Sequence, residues 1–206
     1  ARDLYTGQDE YNPFKFMEDN FDEAFTQLDK LRLHSTLVKR AKESKLPNLL
    51  KWMNNSKNPK YLVFLLKEIS FFNQQETGPM LLNMFEKQEN REVKAQIVLT
   101  LGDLQYYEAI PMFKNRFHVE PNIVRDAIIF AMGKMRRVEI LDFLIEAYED
   151  TDDSELQILI ARSIKKFDKD GERVLKQLRS DADVHEKVKE GILLEQVISE
   201  KTMLSV

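Results

Sequence analysis

Three histidines and no cysteine bound the chemistry this chain can perform with its own side chains. His34, His118 and His185 are scattered along the sequence and each falls at or near an expected helix end. Acid–base or metal catalysis needs several groups converging on one point, and only His185-Glu186 places a histidine beside a carboxylate. The acidic run Glu149, Asp150, Asp152 and Asp153 carries oxygen donors of the kind hard cations prefer. Asp153, however, stands where a helix is expected to start, so the run reads as a capped, solvated turn. The chain has no glycine-rich phosphate loop, no His-Glu-x-x-His and no nucleophile elbow. Without cysteine it has no thiol nucleophile, no disulfide framework and no cysteine-ligated zinc or iron–sulfur site. The expectation is a non-enzyme with no catalytic residue, no metal and no cofactor.

The remaining chemistry is that of binding. Lys134, Arg136 and Arg137, followed by Lys165, Lys166 and Lys169, could line a basic stripe of the kind phosphate contacts need. They alternate with Glu139, Asp168 and Asp170 in a chain of net charge −4. With pI about 5.6 there is no overall attraction to nucleic acid or to anionic lipid. No run of about 18 apolar residues is present, so no membrane span is expected. Hydrophobic residues at 43% and charged residues at 32% are the proportions of a soluble globular protein, which together with the lack of cysteine fits the cytoplasm. The first residue is Ala1, which fits either loss of an initiator or a piece of a longer, membrane-anchored protein.

The elements that would position these groups repeat. Val93, Lys94, Ile97, Leu101, Gly102 and Leu104 recur 31 residues later as Val124, Arg125, Ile128, Met132, Gly133 and Met135. Pro47, Pro79 and Pro111 stand 32 residues apart, each where a first helical turn tolerates the missing N–H. Midway through each unit Asn58, Asn90, Asn122, Asp153 and Asp183 offer side-chain oxygens to a following helix, at intervals of 32, 32, 31 and 30. Second helices are therefore expected over about 60–73, 91–105, 123–136, 154–167 and 184–199. A repeat of this period is one supersecondary unit stacked on copies of itself, because a single unit cannot bury its apolar face alone.

Two short helices in about 31 residues, proline in the first and Val-Arg/Lys-x-x-apolar-x-x-small-apolar-Gly in the second, resemble the HEAT repeat, specifically the short HEAT-like repeat of the phycobilisome-lyase type. The closest stretches are VKAQIVLTLGDLQYYEAIPMF at 93–113 and VRDAIIFAMGKM at 124–135. The resemblance implies an all-α fold, a right-handed α-solenoid of about five two-helix repeats over 46–76, 77–107, 108–138, 139–170 and 171–201. Residues 1–45 would supply an aromatic arm and capping helices, and 202–206 a short tail. Some proteins of this class are di-iron hydroxylases using His-Glu pairs from several repeats; the one pair here cannot build that site. Lyase members attach bilins to partner proteins, but the likeness is to the repeat and carries over no active-site residue.

In such stacks the second helices line the concave side. At 100° per residue the face of the second helices opposite Val93, Ile97 and Leu101 carries Ala95, Val98, Leu99, Gly102 and Tyr106, unusually apolar for a surface. Leu99, Tyr106, Phe130, Arg137 and Arg162 are therefore expected to border a groove that binds a protein or peptide, aromatics and arginine being enriched at binding hot spots. The competing expectation is that Gly102 and Gly133 admit neighbouring helices and that Leu99 and Phe130 pack between them. A bilin-lyase-like accessory and a nucleic-acid-binding domain are the alternative functions.

Overall fold

The computed structural model describes residue 53, residues 56–70, residues 75–180 and residue 191. The N-terminal arm and its capping helices lie outside these residues, as do His34, Pro47, Asp183, His185 and, apart from residue 191, the last second helix. The chain divides into two compact units, Ala1–Phe72 and Asn73–Val206. In the first, α1 spans Pro59–Ser70. The second contains α2 (Gly78–Lys87), α3 (Arg91–Asp103), α4 (Ile110–Phe117), α5 (Asn122–Met135), α6 (Val138–Glu149), α7 (Ser154–Ile164) and α8 (Asp168–Ser180). Short 3-10 turns at Gln75–Thr77, Tyr107–Ala109 and Lys165–Phe167 lead into α2, α4 and α8. No strand occurs among the described residues, and the fold is all-α.

Helix starts follow from local chemistry. Pro59 is the first residue of α1, and Pro79 and Pro111 are the second residues of α2 and α4, positions where no intrahelical bond is lost. Asn58 accepts from the Tyr61 N–H at 3.2 Å. Asn90 accepts from Glu92 N and Val93 N at 3.0 and 3.1 Å. Asp153 does the same for Glu155 N and Leu156 N at 2.9 and 3.3 Å. Asn122 departs from this series. Pro121, extended at φ −60° and ψ 157°, takes the cap position, and Asn122 becomes the first helical residue without a capping bond. The Pro121 carbonyl instead receives Val124 N at 2.8 Å and Arg125 N at 3.0 Å. A proline held extended moves the helix start one residue earlier than a sequence reading of Asn122 suggests.

Second-helix ends share a feature of a different kind. Gln105, Arg136 and Asp168 all have positive φ, at 51°, 53° and 50°, and stand 31 and 32 residues apart. Glycine is the usual residue for such a backbone. Arg136 is left-handed, with ψ 39°, whereas Asp168 combines its positive φ with ψ −129°, so the positions share a positive φ at one period but not one turn.

Packing in the second unit separates two kinds of contact. α3 packs on α5 and α5 on α7 by direct backbone approach, the most extensive helix contact in the unit being α3 with α5. A Cβ on Gly102 would stand 2.6 Å from Ala131 Cβ and 2.7 Å from its Cα, and a Cβ on Gly133 would stand 2.8 Å from Ser163 Cβ. These glycines therefore set the spacing of α3, α5 and α7. Among α2, α4 and α6 contact is made by long side chains instead: Arg116 pairs with Glu86, and Phe117 meets Phe143 edge-on with ring centroids 5.4 Å apart.

Within the first two helix pairs of this unit an aromatic near the end of the first helix meets a cation in the first turn of the second. Lys94 Nζ lies 4.7 Å from the centroid of the Phe85 ring, and the Arg125 guanidinium carbon 5.8 Å from that of Phe117. Lys94 also pairs with Glu120 at 2.6 Å. The next pair holds Tyr148 and Leu156 at the corresponding places, both buried.

Candidate binding site

The unusual apolarity of α3 has a structural cause. Ala95, Val98 and Gly102 are buried as fully as Val93, Ile97 and Leu101, because α5 covers the side of α3 that a surface helix would show to water. On α5, Ile129 and Gly133 are buried in the same way. Of the two expectations, close helix approach at Gly102 and Gly133 holds, and the face is mostly closed by the next second helix. Leu99 is half-buried, and Phe130 remains 40% exposed.

Phe130 sits among cations. Lys134, one turn further along α5, places Nζ 5.0 Å from the ring centroid, and Lys166, from the turn after α7, places its Nζ at 4.2 Å. An aromatic face attracts cations through its quadrupole, by about 0.5–1 kcal/mol at an exposed site. Lys134 also pairs with Asp103 at the end of α3. Arg136 lies 3.9 Å from Asp168, and both are largely exposed. The ends of α3, α5 and α7 thus meet around a cleft of about 470 Å³, lined by Gly102, Asp103, Gln105, Gly133 and the cations Lys134, Arg136 and Lys166. Cations at helix C-termini are favoured by the partial negative charge there. Burial lowers the pKa of Lys166 below its ordinary value, and the charges of Lys134 and Arg136 lower it further.

The other expected groove residues go elsewhere. Tyr106 lies against Gly78 at the start of α2, where a Cβ would collide with its ring. Arg137 stacks on Tyr107, its guanidinium carbon 4.0 Å from the ring centroid. Tyr107 belongs to a second cleft of about 580 Å³ at the starts of α4 and α6, which it lines with Ile110, Pro111, Lys114 and Glu139. There Lys114 Nζ donates to the Glu139 carbonyl at 2.9 Å. Arg162 is exposed on α7. Of the five expected residues, Phe130 is the one the structure places beside the cationic cleft. The sequence showed Lys134, Arg136 and Lys166 as parts of a stripe but not the convergence of Lys134 and Lys166 on Phe130. The Phe130/Lys134 spacing of four residues was the available signal, while the approach of Lys166 depends on how α7 lies on α5.

The acidic run forms no cluster of ligands: Asp153 is engaged in capping α7. No group of three or more metal-ligating side chains gathers among the described residues. Among the same residues no helix is long and apolar enough to cross a membrane. No family model matches the chain, and a search of curated proteins returns no match.

Proposed function

We propose that the helix pairs of the second unit are HEAT-like repeats of a right-handed superhelical stack, and that its second-helix face binds a protein or peptide partner without catalysing a reaction. The contrast in helix spacing supports the curvature. Glycines bring α3, α5 and α7 together, whereas Arg116–Glu86 and Phe117–Phe143 hold α2, α4 and α6 apart at side-chain length. A row of pairs spaced more closely on one side bends toward that side, so the second helices line the concave face. Stacks of this kind present a long surface to which an extended partner is better suited than a small substrate.

The observation that carries the proposal is Phe130, an aromatic ring left 40% exposed beside Lys134 and Lys166 on a helix that also leaves Ile123 exposed. A partner that covers its exposed part gains the burial of an aromatic with two cations already held against the ring. The test is affinity capture from the source organism by the parent chain and by Phe130→Asp, after circular dichroism shows equal helicity. A protein recovered by the parent and lost with Phe130→Asp supports the face as the binding surface. Recovery of the same set by both removes Phe130 from the account.

A further inference from the structure

The cleft beside Phe130 has an imbalance that its own side chains leave unresolved. Lys134, Arg136 and Lys166 line it, and Asp103 is the one carboxylate among the lining residues. Asp103 is engaged by Lys134. The nearest acid to Arg136, Asp168, stands at 3.9 Å with its side chain 84% exposed, so it offsets little. Lys166 has no carboxylate within ion-pair distance among the described residues; its contact is the Phe130 ring. The helix dipole accounts for cations at the ends of α5 and α7. It does not account for a half-buried ammonium laid over an aromatic ring beside two further cations, where partial burial and like charge both oppose ionisation.

Resting on the reading of Phe130 as a binding residue, we infer that this cleft takes an acidic peptide segment of a partner protein, its carboxylates meeting Arg136 and Lys166 and an apolar side chain covering Phe130. Arginine can hold one carboxylate through two parallel N–H donors, and Lys166 supplies a second point charge across the cleft. A bound carboxylate supplies the counter-charge Lys166 lacks and favours its ammonium form. The volume of about 470 Å³ accommodates a few side chains rather than a folded domain. An acidic segment with an apolar anchor matches both the charge and the ring.

The test is selection of random displayed peptides on the folded chain, with the winners resynthesised and titrated by fluorescence anisotropy against parent, Arg136→Gln/Lys166→Gln and Phe130→Ser. Winners enriched in Asp and Glu, weakened about tenfold or more by Arg136→Gln/Lys166→Gln and further weakened by salt, support the inference. Winners that are neutral or basic, lost with Phe130→Ser but unchanged in Arg136→Gln/Lys166→Gln, overturn the acidic partner and leave the binding face standing. Winners indifferent to all three substitutions overturn both. Acidic winners displaced by an equal charge of single-stranded DNA at lower concentration overturn the peptide in favour of a phosphate backbone.

Discussion

Phe130 and Asp126 lie one turn apart on α5, and each is a compromise between packing and charge. Phe130 gives up part of its burial and holds the ammonium groups of Lys134 and Lys166 over its ring. Asp126, though exposed, is ionised at a small cost: partial desolvation raises its pKa above the ordinary carboxylate value, Arg125 opposes this and Asp153 adds to it. The folded state therefore holds the Asp126 proton more tightly than the unfolded chain. The stability this contributes is present below the unfolded pKa of about 3.9 and lost as pH rises through the folded value. Asp126→Asn is accordingly expected to raise the thermal midpoint at neutral pH, with the gain shrinking in acid where both states of the parent are protonated. Thermal melts of the two proteins across that range check the sign; a variant less stable at neutral pH would contradict it.

At the scale of elements, caps and glycines make separable contributions. Asn90 and Asp153 each satisfy two N–H groups, so Asn90→Ala and Asp153→Ala are each expected to cost about 1 kcal/mol in chemical denaturation. Asn122→Ala is expected to be nearly neutral, since Pro121 makes the turn. Gly102→Ala places a methyl 2.7 Å from the Ala131 backbone, and α5 must move to admit it. The expected loss is about 1–3 kcal/mol, against the gain in helix propensity that the same change brings to an open helix. Unchanged denaturation midpoints would contradict the close approach of α3 and α5.

These elements show what was legible in the sequence. The alternation of proline-led and Asn- or Asp-led helices was readable because caps and first-turn prolines act locally, within a few residues of the signal. The described second-helix starts fall within a residue of those expected. Asn122 was misread as a cap because asparagine is a good cap in isolation, and the conformation of the preceding proline decided the matter. The closed face of α3 was legible as one of two readings, through Gly102 and Gly133 as points of close helix approach. Ala95, Val98 and Gly102 are apolar whether they face a groove or another helix, and only the position of α5 tells these apart. The positive φ at Gln105, Arg136 and Asp168 left no mark, since none of the three is glycine.

Across the second unit, successive helix pairs are joined by contacts that recur at about one period. Glu86 with Arg116 and Asp103 with Lys134 join residues 30 and 31 apart. Arg136 and Asp168 continue the series at the last described pair. Exposed pairs of this kind contribute little singly; their value is in fixing the register in which one pair lies on the next. Against that register the cleft at Phe130 is where the charges fail to balance, and it is there that a partner is expected. The most direct measurement is photo-crosslinking with a benzoylphenylalanine placed at Phe130, compared with one placed at Val119, which is 70% exposed in the turn after α4. Crosslinks to one protein from position 130, absent from 119 and diminished by Arg136→Gln/Lys166→Gln, are the expected result. Equal labelling from both positions, or labelling from 119 alone, would contradict the second-helix face as the binding surface.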